Sequence, residues 1–166
     1  MSPYRNFKRF ISEQLDTVLR LPQAVIVGLN STAPYTRIVN GAIATEQLAL
    51  CKAAFESGQA GVARIVVMHH HLVPTPDFEK SEYIANARPI LSQLSRLGVD
   101  LVLGGHAHRS YVGSSLDTYP AREPEKGIVI VQCGTSTSRR GRGRERDRNS
   151  CNLIEIDERT IHVRHY

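Results

Sequence analysis

Two stretches of this chain end an apolar run in histidine. One is Leu101-Val-Leu-Gly-Gly-His-Ala-His-Arg109; the other, about 35 residues upstream, is Ala63-Arg-Ile-Val-Val-Met-His-His-His-Leu72. Neutral imidazole is the commonest protein metal ligand near physiological pH. Both runs read as short strands. Gly104 and Gly105 can take backbone angles closed to other residues, so the second run is expected to break into a tight loop at its C-terminal end. Open α/β sheets gather their ligand sites at such ends. One histidine there also reads as a hydrogen-bonded loop residue. Two strand ends that both finish in histidine, joined by a helix-like segment, point to a shared metal site.

The elements that must position these histidines follow from hydrophobic spacing. Ala24–Leu29 is a continuous apolar run of the kind buried in a parallel sheet. Thr45–Ser57 reads as a helix with Thr45 as N-cap and Gly58 after its end. Ala85–Leu97 reads as a second helix, with Ile90, Leu91, Leu94 and Leu97 on one side and Gly98 closing it. Gly127–Gln132 reads as a strand. Cys151–Ile156 and Thr160–Tyr166 read as a hairpin that turns at Asp157–Arg159. The segment Tyr4–Leu21 has Phe7, Phe10, Ile11, Leu15, Val18 and Leu19 at helical spacing, and Pro22 fits a stop. Asn30 and Ser31 fall at a strand end and suit turn chemistry. Leu72–Asp77, with Pro74 and Pro76, cannot continue a ladder and is expected to cross the site rim. Leu116–Lys126 reads as a surface loop. His71, His162 and His165 receive no role. The alternation of β and α, finishing in β, predicts a layered α/β fold.

At 166 residues the chain has the size of one domain, with 41% hydrophobic and 22% charged residues, ordinary values for a globular protein. No apolar run approaches the roughly 20 residues of a membrane span, and the N-terminus lacks a signal-peptide core, so a cytoplasmic location is expected. Cys51, Cys133 and Cys151 are odd in number and form no Cys-x-x-Cys pattern, which excludes a disulfide framework; they are expected to pack as small buried residues. The net charge of +5 is concentrated in Arg139–Arg148, where six arginines face Glu145 and Asp147. Such a stretch attracts phosphate or nucleic acid, or else is a solvated, mobile loop. Its internal position argues against a nucleic-acid-binding tail.

The paired histidine stretches resemble the calcineurin-like metallophosphoesterases, in particular the bacterial cyclic-nucleotide-phosphodiesterase-like branch. Val67-Met-His-His70 resembles that group's histidine-ligand motif, and Gly105-His-Ala-His108 its Gly-His-x-His motif. Val27-Gly-Leu-Asn-Ser-Thr32 is similar to the strand that follows its Gly-Asn-His-Asp motif, and Gln132-Cys-Gly-Thr-Ser-Thr-Ser-Arg139 to its late Gly-Thr-rich strand end. The resemblance runs from Tyr4 to Tyr166 and covers only the C-terminal half of that domain. The upstream Asp-x-His, Gly-Asp-x-x-Asp and Gly-Asn-His-Asp motifs do not occur.

The resemblance implies part of an α/β/β/α sandwich lacking its N-terminal half, over residues 1–166 as one portion of one domain. It implies metal ligands His69, His106 and His108, a substrate contact at His70, and two divalent ions, manganese, iron or zinc. It implies hydrolysis of a small phosphoester, with cyclic nucleotides among the candidates. Metal pairs clamp the attacking and leaving oxygens of such a displacement. With three ligands and no supporting carboxylate motif, weak metal binding and weak or absent turnover are expected, and exposed strand edges invite self-association. The alternative is a non-catalytic module that binds a polyanion through Arg139–Arg148.

Overall fold

Strand residues alternate between two faces, and both faces of the central sheet are covered here, by different layers. The computed structural model describes residues 3–33, 39–58, 61–74, 83–120, 126–157 and 160–166. Six strands form the main sheet: β1 (Thr17–Leu21), β2 (Ala24–Leu29), β3 (Ala63–Met68), β4 (Leu101–Gly104), β5 (Tyr111–Ser114) and β6 (Val129–Gln132). Their spatial order is β1-β2-β3-β4-β6-β5. Strands β2, β3, β4 and β6 run parallel, while β1 and β5 close the edges antiparallel. A separate hairpin joins β7 (Asn152–Ile156) to β8 (Ile161–His165).

On one face Val25, Val27, Leu29, Val66, Met68, Val102 and Ile130 pack against two helices, α2 (Thr45–Glu56) and α3 (Ala87–Arg96). Phe55, Ile90 and Leu94 fill that layer. On the other face Ile65, Leu101 and Val131 meet Ile154, Ile161 and Val163 of the hairpin. The apolar runs read from sequence are therefore divided between two hydrophobic layers, and the architecture is α/β. The Gln47 side chain accepts from the Ala44 amide at 2.9 Å, so the N-cap is Ala44, one residue before the expected Thr45, and the capping contact comes from inside the helix.

The N-terminal segment departs from expectation. Helix α1 covers only Arg5–Phe10, and Thr17–Leu21 is strand β1, paired from Thr17↔Gly28 to Leu21↔Ala24. Two residues, Pro22 and Gln23, turn the chain back. The β-branched and alternating Thr-Val-Leu-Arg-Leu suits a strand as well as a helix, and long-range bonds decide between them. The Asp16 carboxylate accepts from the Asn30 amide at 2.7 Å and from Gln47 Nε2 at 2.6 Å. Arg20 donates to the Ala54 carbonyl and to Ser57 Oγ. Phe10, Ile11 and Leu19 consequently stay exposed. Every residue of β1 is exposed.

Other expectations need smaller corrections. Leu72 and Val73 do not ride on a rim; they are buried in the helix-side layer, where apolar burial outweighs the solvation of a loop. Residues 75–77 of that stretch, 158 and 159 of the expected hairpin turn, and 121–125 of the expected surface loop lie outside the described residues. Ser115–Thr118 forms a short helix, α4. Cys51 is buried, and burial raises its thiol to about 11, whereas Cys151 is exposed. Among the described residues no helix is long and apolar enough to cross a membrane.

Candidate metal centre

Strands β2, β3 and β4 end level with one another: Leu29 pairs with Met68, and Val67 with Leu103. The residue after each end therefore emerges at one edge of the sheet. After β3 comes His69, whose carbonyl accepts from the Gly105 amide at 3.0 Å. That bond extends the ladder by one step and fixes the two histidine loops against each other. Beyond it His106 and His108 take left-handed backbone angles, φ 68° and 55°. Few residues other than glycine adopt this region, though histidine does so more readily than most. The turn throws the His106 ring back over the end of β3.

His106 Nδ1 lies 3.0 Å from His69 Nε2. The ring centroids of His69, His70 and His106 are 4.7–5.0 Å apart. One nitrogen from each of these three rings falls within 4.8 Å of the other two, and among the described residues this is the one group so arranged that could hold a metal. Two nitrogens bound at about 2.0–2.1 Å to one ion lie about 3.0–3.4 Å apart, so the His69–His106 spacing matches a shared cation. Protonation does not block it. Burial first, and then the neighbouring imidazoles and Arg142, push His106 down to about 4. His69 is lowered by burial and by His108. Both rings are neutral at physiological pH and offer lone pairs.

The four candidate positions sit differently. His69 and His106 are adjacent. His70, expected to touch substrate, is 2% exposed and stands inside the three-nitrogen group. Ser31 Oγ accepts from the His70 amide at 3.0 Å and meets its Nδ1 at 2.9 Å. The Ser31 hydroxyl thus holds both the backbone and the ring of His70 in place. His108 lies outside the group: its Nδ1 is 3.1 Å from the Arg140 carbonyl. A carbonyl only accepts, so Nδ1 carries the proton and Nε2 the lone pair. The residues thus fit one cation; the described residues do not assemble a second set.

Three positions acquire a place that sequence did not give them. Ser31 holds His70 rather than a turn. Gly41, at φ +69°, lies under the His70 ring, where a Cβ would overlap it. His71, read as a loop residue, is 4% exposed, and among the described residues neither ring nitrogen has a hydrogen-bond partner. Burial, then the other histidines, lowers it to about 4. The apolar pair Leu72-Val73 directly after the triplet was the available signal that the chain turns inward here.

The arginine stretch is tied down rather than loose. The Arg142 amide donates to the His108 carbonyl at 2.9 Å. Glu145 is 9% exposed, and it accepts from the Ser110 amide at 2.6 Å, from the Ser110 hydroxyl and, at 2.8 Å, from Ser150 Oγ. Burial raises its carboxyl, but these bonds and the His165 charge outweigh that and leave it below its ordinary value.

No family model matches the chain, and no curated protein matches it in sequence. Two solved structures are similar in backbone. One is GAP50, the anchor in the inner membrane complex of Plasmodium, with 18% identity, a TM-score of 0.47, and coverage of 76% of this chain and 38% of that one. The other is a candidate 5'-nucleotidase from Staphylococcus aureus in complex with alpha-ketoglutarate, with 12% identity, a TM-score of 0.47, and coverage of 93% and 29%. The chain therefore spans about a third of the length of either protein, and likenesses at this level carry no functional argument.

Proposed function

We propose that this protein is a metal-dependent phosphoester hydrolase, acting on a phosphodiester or phosphomonoester, in which His69, His70 and His106 hold a divalent cation. The reading rests on one observation, the convergence of His69 and His106 from neighbouring parallel strand ends to 3.0 Å, and is supported by the Gly-His-x-His resemblance. Bound there, a divalent metal supplies Lewis-acid polarisation of a phosphoryl oxygen and a nucleophile at neutral pH. Imidazole donors suit manganese, iron or zinc. Ser31 fixes the His70 ring from the buried side of the site. His108, outside the donor group with its Nε2 lone pair set by Arg140, is the residue available to take a proton at the rim. Arg142, whose charge reaches His106, favours an anionic substrate.

The test is metal content and hydrolysis of a chromogenic phosphodiester with manganese, in the wild type and in His106→Ala. The reading expects about one ion per chain, lost in the variant along with any turnover. Equal metal content in both proteins would overturn it.

A further inference from the structure

Beside the histidines, residues 109–111, the arginine stretch and the end of the C-terminal hairpin border a cleft of about 780 Å³. Arg109, Arg144, Arg148, Asn149, His165 and Tyr166 line it, with Ser110 and Glu145 at its back. Its volume lies within the range of small-molecule sites, roughly 300–1,000 Å³. Three guanidinium groups face one carboxylate, and that carboxylate is already engaged by the three Ser110 and Ser150 donors. Among the described residues no hydrogen bond or ion pair engages the Arg144 or Arg148 side chain, so both forks are available to an incoming ligand. Gly143, at φ +61°, lets the backbone lie flat against the Arg109 guanidinium, where a Cβ would overlap it. Glu145 makes the contacts that hold this wall, so the Arg144 and Arg148 side chains are spared structural duty.

We propose that this cleft is a binding site for a polyphosphate group of a small molecule, distinct from the three-histidine group but continuous with it through residues 106–111. Guanidinium forks match phosphate oxygens two at a time, and three of them around one cleft suit adjacent phosphates better than an isolated one. The limited volume of the cleft, about 780 Å³, suits a small ligand; a nucleic-acid strand needs an extended groove along its backbone. As a statement about substrate class, a phosphoester carrying a further phosphate chain, the proposal rests on the hydrolase reading. As a statement about anion binding, it stands without it.

The experiment is calorimetric titration of the full chain with inorganic tripolyphosphate in excess EDTA, so that no metal contributes. Wild type and His106→Ala should bind alike. Arg144→Ser and Arg148→Ser should each weaken binding by about tenfold or more; both side chains are exposed, so the fold is kept. Absence of tripolyphosphate binding would overturn the proposal even if the hydrolase assay succeeds, as would binding unchanged when Arg144→Ser and Arg148→Ser are combined in one chain. A single-stranded RNA oligomer that binds and is not displaced by tripolyphosphate would overturn the small-ligand assignment. Retained tripolyphosphate binding with a failed hydrolase assay would sink only the hydrolase reading.

Discussion

Replacing Glu145 should release the arginine stretch from the histidine loop. In Glu145→Ala the Ser110 hydroxyl can turn to His165 Nε2, 3.2 Å away. The Ser110 amide and the hydroxyl of buried Ser150 have no such substitute. Each orphaned group costs about 1–3 kcal/mol, or about 4 kcal/mol for the pair. The loss is capped by local opening, because water satisfies both groups once residues 139–148 detach. Native-state hydrogen exchange is therefore the right assay. Protection of the Ser110 amide should fall roughly 30-fold or more, equivalent to about 2 kcal/mol. Gly134→Ala tests the same contact from the other side, since a Cβ there would overlap the Glu145 carboxylate and the Ser150 hydroxyl. pH supplies a third arm. The native Glu145 pKa is lowered, so the unfolded state binds the proton first. Its contribution is complete above the ordinary carboxyl value of 4.5 and is lost as pH falls through the lower native value. Glu145→Gln should remove this component. A change in Ser110 protection smaller than about threefold in Glu145→Ala would refute the reasoning.

Two further outcomes are expected around the histidines. Gly41→Ala forces a side chain into a left-handed backbone position against the His70 ring and 2.7 Å from the Ser31 carbonyl; it should lower stability by more than about 1 kcal/mol and weaken metal uptake, measured by denaturant unfolding and by metal titration. His71→Leu removes two unpartnered buried nitrogens and should raise the stability of the metal-free protein by about 1–2 kcal/mol in a urea titration; a fall in stability would show that His71 has a partner after all.

The four parallel strands were legible because they are short apolar runs punctuated by glycine, proline or histidine; the edge strand Tyr111–Ser114, short and half-polar, was not. The N-terminal hairpin was not. Thr17–Leu21 carries spacing compatible with a helix, and its fate depends on Asp16 and Arg20 reaching residues 14 and 34 positions away, which local pattern does not contain. The same limit applied to the site. Strand ends located His69 and His106, but which histidine faces inward depends on a single-residue turn. Ser31 and Gly41, from a different loop, decide the place of His70. Glu145, one of two acids among six arginines, looks like charge balance in sequence, yet it is the residue that anchors the loop.

The left-handed turns at His106 and His108 set selection for stability against selection for chemistry. L-residues other than glycine lose about 1–2 kcal/mol in this region, so glycine is the more comfortable occupant of both positions. A library of this protein screened only for thermal resistance would drift toward glycine at 106 and 108, erasing the histidines while improving the fold. Survival of imidazole at two strained positions two residues apart is what a sequence under functional demand retains, and their replacement is a sensitive marker that such demand has been lifted.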